Sequence, residues 1–353
     1  MLLTILLLYA GLLFLMIPGI KVRRGPKDTL LTKQDSNYIK GLAAIGVLLA
    51  HLQDFLEYGA GRYSLFLRPF SFLGGMGVLL FFFISGYGIF CGYAKKTPTI
   101  RYWKNRVINV MIPAFVITVL TVIIVYVLDG REFNGLQFLS DLMTTQWYII
   151  AALVMYFVFF LSWCIARGRV LLLMILDVIG CLLVIALFYA LGLPVRWYTG
   201  LLLFPTGMLV AWGEEKLLCL SKKKEVFGFV FFFLLFGVSG LAFTYGKGTD
   251  LGNCMKTVSG ICLALGIVFF VQLFEVGNRA IRWLGERSLY IYLCHVGVLS
   301  AVSIFANRTE LFGVHREIWV YFILAGTLLF TVVCYALFGK LGQLLSCQSV
   351  KKK

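Results

Sequence analysis

The sequence consists largely of apolar stretches about as long as a lipid bilayer is thick, and this feature limits the possible folds most. A helix needs about 20 mostly apolar residues to cross the bilayer. The stretches that meet this length are Leu2–Ile20, Tyr38–Phe55, Ser71–Tyr93, Val107–Leu128, Thr145–Ala166, Val170–Leu191, Trp197–Gly213, Val226–Tyr245, Thr257–Val276, Leu289–Ala306 and Ile318–Leu341.

The composition agrees with a membrane protein. Hydrophobic residues make up 61% of the 353 positions and charged residues 14%, whereas soluble domains contain about 45–50% apolar and about 25% charged residues. A membrane β-barrel would show alternating segments of about ten residues, which the long unbroken runs exclude. The sequence therefore predicts an all-α fold, a polytopic membrane helix bundle with about 10–11 transmembrane helices.

The charges predict the topology. A formal net charge of +16 would also suit a nucleic-acid-binding protein. However, 24 of the 32 Lys and Arg residues fall in one set of alternate loops and eight in the other. Cytoplasmic loops of membrane proteins carry such an excess. We therefore expect the bilayer, and no nucleic acid, as a partner, with the N-terminus outside and the C-terminus in the cytoplasm.

The chain is predicted to form one large membrane domain with short extensions. Residues 1–34 would form an extra N-terminal transmembrane helix and a basic linker, residues 35–345 the membrane domain, and residues 346–353 a basic tail. No basic residue precedes Leu2, so we expect the first stretch to be a retained helix instead of a signal peptide. The nine cysteines lack metal-ligand spacing, so neither a metal site nor a disulfide framework is predicted.

Polar residues inside the apolar stretches are candidates for function, because hydrocarbon is a costly environment for them. Lys40 lies at the predicted cytoplasmic entrance of the second stretch, and His51 follows eleven residues later. This spacing is close to three helical turns, so both lie on one face, about 16 Å apart. Asp54 is placed to pair with His51. A histidine base in a polar cavity and a histidine that only packs between helices both fit this pattern.

Further candidates have plain structural explanations as well. Ser85 lies among glycines that let helices approach closely. Lys104 and Arg106 open a later stretch, where they could anchor the chain at the membrane surface or bind phosphate. Trp147 suits an interfacial aromatic belt. His295 is a second intramembrane histidine.

Taken in order, these segments resemble a known family. The order is Lys-Gly-Leu-Ala and a histidine eight residues after that alanine, then Phe-Phe-Phe-Ile-Ser-Gly-Tyr, a basic segment before Pro113, Trp-Tyr, and Ser-Leu-Tyr-Ile-Tyr-Leu-Cys-His. From about Tyr38 to Ala306 the chain resembles the membrane-bound acyltransferase 3 family. This resemblance implies a bacterial plasma-membrane enzyme that transfers acyl groups to exported glycans and related acceptors.

The resemblance also implies roles for single residues. Lys40 and His51 match the family's motif of a basic residue and a histidine with ten residues between them, in which the histidine is essential for acyl transfer. Arg106 matches the first of two basic positions before the family's proline. Ser85 and His295 fall in its Ser-Gly and terminal histidine blocks, and these two residues, with Lys40 and His51, form the implied catalytic set.

Two positions depart from the family pattern. Asn109 occupies the second basic position before Pro113, and Asn37 occupies the place of an acidic residue, with Asp35 two positions earlier.

The implied donor is acetyl-CoA or another acyl-CoA, and the implied acceptor is a hydroxyl of an extracytoplasmic or lipid-linked carbohydrate. We expect Arg106, Lys104 and Lys40 to hold the CoA phosphates, with Trp147 and Tyr292 as further donor contacts.

His51 would act as general base or would carry the acyl group covalently. Ser85, Tyr292 and His295 are candidates to polarise the thioester carbonyl.

Two other classes of function remain open from the sequence. A transporter or flippase for a glycan or anion would also line its path with Lys and His, although no internal repeat is found. A structural or sensory membrane protein is the third class, but it gives no reason for Lys40, His51 and His295 to be buried.

Overall fold

The computed structural model describes residues 1–25, 27–93, 96, 99–308 and 316–350, and in this part of the chain it is almost entirely helical. The α-helices are α1 Leu2–Met16, α2 Lys33–Ala60, α3 Ser64–Tyr93, α4 Ile100–Arg106, α5 Ile112–Asp129, α6 Gly135–Thr145, α7 Trp147–Ala166, α8 Val170–Ala190, α9 Leu203–Trp212, α10 Glu214–Leu218, α11 Lys222–Tyr245, α12 Asp250–Leu273, α13 Arg279–Glu286, α14 Ser288–Asn307 and α15 Arg316–Val350.

Strands β1 (Lys21–Val22) and β2 (Phe274–Glu275) pair antiparallel. They tie the segment after α1 to the end of α12.

The predicted membrane bundle is confirmed. Within the described residues, nine helices are long and apolar enough to span a membrane, and α1 and α9 are shorter apolar helices. Two predicted stretches are shortened for local reasons. The stretch from Leu2 ends at Met16 because Pro18 and Gly19 follow, and Gly19 adopts a positive φ. The stretch predicted from Trp197 begins at the end of a 3₁₀ turn over Val195–Trp197, and its α-helix starts only at Leu203.

Helices α2 and α3 form the centre of the bundle. They pack against each other, α9 packs on α3, and α13 and α14 pack on α2. Glycines make these contacts close: a Cβ at Gly77 would lie 2.6 Å from the carbonyl oxygen of Ala43, and one at Gly86 would overlap the carbonyl oxygen of Phe204. Helices α8, α11 and α15 are mostly exposed along their apolar sides, as expected for lipid-facing helices.

The two ends of the bundle differ in charge. We call the end where α2 begins and α3 ends the basic end, and the end where α2 finishes the opposite end. At the basic end α2 starts with a capping box, in which Thr32 and Asp35 each accept the other's backbone N–H. The side chain of Asp35 also pairs with Lys27, Nζ to Oδ2 at 2.6 Å. Asp35 is thus committed to fixing the start of α2.

Candidate functional site

Two histidines from different helices meet near the opposite end. The rings of His51 on α2 and His295 on α14 have centroids 5.0 Å apart and planes inclined by 40°. Packing of α14 against α2 creates this contact. The sequence predicted each histidine as a candidate, and the tertiary structure brings them together.

Hydrogen bonds define the state of His295. Its Nδ1 lies 2.6 Å from the carbonyl oxygen of Tyr292 and 3.2 Å from that of Ile291. Carbonyl oxygens only accept, so Nδ1 carries the proton and the neutral ring keeps a lone pair on Nε2. Nε2 is buried and has no hydrogen-bond partner among the described residues. The ring therefore offers an unused acceptor in an almost fully enclosed position.

His51 is more open than its partner. Its side chain is 44% exposed, and Asp54, one turn later, is 68% exposed. The two side chains approach to 3.8 Å between Nδ1 and Oδ2, an ion-pair distance longer than a hydrogen bond. The charges of Arg196 and Lys247 also act on this pair, Arg196 on His51 and Lys247 on Asp54. His51 therefore stands at a charged opening of the bundle.

A cavity of about 650 Å³ lies at the basic end. Cavities that bind small molecules in proteins typically measure about 300–1,000 Å³. Its charged and hydroxyl-bearing lining includes Lys33, Lys40, Ser85, Arg106, Tyr156 and Glu214. Within the described part of the chain Lys40 forms no ion pair. The cavity therefore has three cations against one carboxylate and suits an anionic ligand.

Arg106 is fixed by aromatic rings. Its guanidinium carbon lies 4.2 Å from the ring centroid of Tyr102, 4.9 Å from that of Tyr93 and 5.4 Å from that of Tyr156. The Tyr93 hydroxyl accepts a hydrogen bond from Nη1 at 3.1 Å. Such cation–π contacts hold a guanidinium without neutralising its charge. Arg106 is therefore oriented in advance of any ligand.

Asn109, at the family's second basic position, carries no charge, and its side chain bonds within its own helix. Val107–Met111 form a π-helical turn ahead of Pro113, which cannot donate a backbone hydrogen bond. The side chain of Asn109 donates to the carbonyl oxygen of Asn105 at 3.0 Å. The side chain of Asn109 is therefore bonded to its own helix and does not line the cavity.

A column of buried aromatic residues connects the cavity with the histidines. The Tyr156 hydroxyl donates to Oγ of Ser85 at 3.3 Å, and Tyr148 lies within hydrogen-bonding reach of Ser85. The ring of Tyr148 contacts that of Tyr292 at 5.2 Å, and Tyr292 contacts His295 at 5.6 Å. The cavity lining itself includes neither histidine. The two sites are therefore separate and joined by hydroxyl-bearing rings.

The structure divides the residues predicted from the sequence into groups. Lys40, Ser85 and Arg106 meet at the cavity, whereas Tyr292 lies beside His295. Lys104 is half-buried and is not in the cavity lining. Trp147 lies outside that lining too, against Trp197 at 6.4 Å between centroids.

Sequence reasoning missed several residues. Tyr156 and Tyr93 gave no signal beyond aromatic composition. Tyr148 appeared only as the tyrosine of the Trp-Tyr pair in the family resemblance. Asp177 could have been found, because an acidic residue interrupts an apolar run there. It is fully buried in α8, and its carboxylate oxygens have no hydrogen-bond partner within the described ranges.

Comparison with known proteins gives one match. The family model described as an acyltransferase domain, that of acyltransferase 3, matches residues 34–339. No curated protein and no solved structure matches significantly. The matched region contains both histidines, the aromatic column and most of the cavity lining, whereas Thr29, Leu31 and Lys33 precede it. The chain therefore belongs to the acyltransferase 3 family and is a membrane acyltransferase.

Proposed function

We propose that the protein transfers an acyl group, most simply acetyl, from cytoplasmic acyl-CoA to a hydroxyl of an extracytoplasmic or lipid-linked carbohydrate. One observation carries this proposal: a cationic cavity at one end of the bundle is joined by Tyr148 and Tyr292 to a histidine pair near the other end. In this proposal the donor approaches from the cavity and the acceptor from the side of His51.

The basic end suits the donor. Coenzyme A has an anionic nucleotide part and a long flexible arm that ends in the thioester. Lys33, Lys40 and Arg106 provide positive charge for the phosphates, and Arg106 is already oriented by its tyrosines. The arm would enter past Ser85 towards Tyr148 and Tyr292. Phosphate binding in this proposal rests on the cavity cations and not on Lys104 or Trp147.

The histidine pair suits proton transfer from the acceptor. His51 takes the proton of the attacking hydroxyl, the hydroxyl oxygen bonds to the thioester carbonyl carbon, and the carbon–sulfur bond breaks. The CoA thiolate then receives the proton from the imidazolium. The carboxylate of Asp54, 3.8 Å from His51, stabilises the imidazolium in the meantime.

The tautomer of His295 limits its part in this reaction. Its only N–H points to backbone carbonyls, so the neutral ring cannot donate to an oxyanion. It can accept a hydrogen bond at Nε2, either from His51 or from the acceptor hydroxyl. Of the two candidate hydroxyl donors for the oxyanion, Tyr292 lies beside His295, whereas Ser85 lines the cavity.

The test uses purified protein with acetyl-CoA labelled in the acetyl group. We measure equilibrium binding of the label and its transfer to a glycan mixture from the cell envelope. His51→Ala should bind acetyl-CoA normally and lose about 10²–10⁴-fold in transfer rate, the usual contribution of a general base. Arg106→Ala should lose binding, whereas Arg169→Ala, an exposed arginine outside the cavity lining, should behave as wild type.

The same experiment separates the alternatives. Labelled protein trapped by acid quenching would indicate an acyl-histidine in place of a base. Intact acetyl-CoA accumulating inside proteoliposomes without transfer would favour a transporter. Absence of acetyl-CoA binding by the wild-type protein would refute the proposal.

A further inference from the structure

A second polar cavity lies at the basic end, away from the one that contains Lys40. It measures about 280 Å³ and lies between the segment after β1, the end of α12 and the start of α11. Its polar lining consists of Arg23, Arg24, Lys27, Lys222, Glu225 and Gln272. The two cavities share no lining residue.

Two buried N–H donors in this lining lack a partner. Gln272 is 3% exposed, and its Nε2 has no hydrogen-bond partner among the residues the structure describes. The same holds for Nε of Arg23. An unsatisfied buried donor costs about 1–3 kcal/mol. Two such donors at one cavity indicate a ligand with acceptor oxygens.

The charges indicate that this ligand is an anion. Glu225 is the single acid in the lining. It forms an ion pair with Lys222 at 3.0 Å, but the two groups are not hydrogen-bonded to each other. Lys27 is paired with Asp35. The ion pair between Arg23 and Glu275 is long, at 3.8 Å between Nη1 and Oε1, and the Glu275 side chain is half exposed. Arg24 forms no ion pair within the described ranges. The lining therefore has a surplus of positive charge.

The surroundings identify the source of the anion. Helix α11 continues from Lys222 into the membrane with large apolar side chains exposed, namely Val226, Phe227, Val230, Phe231 and Leu234. This exposed stripe would contact lipid chains directly below the cavity. We propose that the cavity binds the phosphate of an anionic phospholipid headgroup, whose chains lie along the exposed side of α11. Basic pockets at membrane surfaces are suited to such headgroups.

The test measures the thermal midpoint of the full-length protein in detergent during titration with phosphatidylglycerol or phosphatidylcholine. Phosphatidylglycerol should raise the midpoint of wild type more than phosphatidylcholine does. Gln272→Leu should weaken the apparent affinity about tenfold, the usual size for one lost hydrogen bond to a charged group. Lys21→Gln removes an exposed charge next to the site, outside the cavity lining, and should leave the affinity unchanged.

The Gln272→Leu variant should fold, because it replaces an unsatisfied buried amide by an apolar group of similar size. Equal phosphatidylglycerol affinity in wild type and Gln272→Leu would refute the proposal. Stabilisation by inorganic phosphate alone, without any effect of phosphatidylglycerol, would refute the lipid assignment. Weaker acetyl-CoA binding by Gln272→Leu would refute it too, since the phosphate would then belong to the acyl donor. None of these outcomes depends on acyl transfer.

Discussion

The two ends of the functional region are built in different ways. At the basic end Arg106 is enclosed by three tyrosine rings, and Lys27 fixes the start of α2 through Asp35. At the opposite end His51 is 44% exposed and meets Asp54 only at 3.8 Å. The difference indicates that one end is organised before its ligand arrives, whereas the other is left open for a second reactant.

The largest expected effect concerns the stability of the basic end. Lys27 donates to Asp35, to the carbonyl oxygen of Leu30 and to that of Val271. Lys27→Met would remove all three donated hydrogen bonds and leave the buried carboxylate of Asp35 without this partner, at a cost of about 3–5 kcal/mol. We expect a clearly lower thermal midpoint in detergent. A midpoint equal to that of wild type would show that this end is not held by the ion pair.

The pH dependence of stability sharpens this prediction. Burial lowers the pKa of Lys27 from its ordinary value of 10.5, and Asp35 offsets only part of this effect. Between the lowered value and 10.5 the unfolded chain binds more protons, so stability rises with pH there. Lys27→Met should lack this rise. Parallel curves for both proteins in alkaline buffer would contradict the stated direction.

The next largest effect concerns acetyl-CoA binding, which we compare between variants at the two ends. Arg106→Ala should weaken acetyl-CoA binding about 10- to 100-fold, the value of a lost hydrogen bond between charged groups. Arg106→Lys should recover part of the affinity, because charge is kept but stacking on the tyrosines is lost. Isothermal titration of both variants and of His51→Ala provides the comparison. Weaker binding by His51→Ala than by Arg106→Ala would reverse the assignment of the two ends.

A smaller effect is expected from the close contact between α3 and α9. A Cβ at Gly86 would overlap the carbonyl oxygen of Phe204, whereas one at Gly88 would meet nothing within 4 Å. Gly86→Ala should therefore destabilise the protein by about 1–3 kcal/mol through overpacking. Gly88→Ala, on the same helix, is the matched control. Equal thermal midpoints for the two variants would mean that α3 and α9 can move apart at no cost.

The smallest expected effect concerns the transfer rate and the residues next to His51 at the opposite end. Asp54→Asn removes the carboxylate next to His51, and exposed ion pairs contribute about 0.2–1 kcal/mol. We expect a two- to fivefold lower transfer rate, about the size that this energy allows, with unchanged acetyl-CoA binding. Glu57→Gln alters a charge near Asp54 and serves as control. A larger loss with Glu57→Gln would remove Asp54 from the mechanism.

Much of the fold could be predicted from local sequence. Apolar runs revealed the membrane helices because each helix satisfies its own backbone hydrogen bonds. Their ends could be predicted less well: the stretch predicted from Trp197 becomes α-helical only at Leu203, after a 3₁₀ turn over Val195–Trp197.

For the site, spacing along α2 selected Lys40 and His51, and a motif selected His295. The distance between the two histidines depends on α14 packing against α2, which no local pattern encodes.

The sequence by itself determined that this chain is a helical membrane protein and which intramembrane polar residues need an explanation, because hydrophobicity and charge act residue by residue. Only the tertiary structure decided that Tyr93, Tyr102 and Tyr156 surround Arg106 and that unpaired donors of Arg23 and Gln272 share a cavity. Apart from Tyr102, which lies one turn before Arg106 on α4, these residues come from different elements of the chain. Their proximity results from how whole helices pack, a property of many weak contacts together.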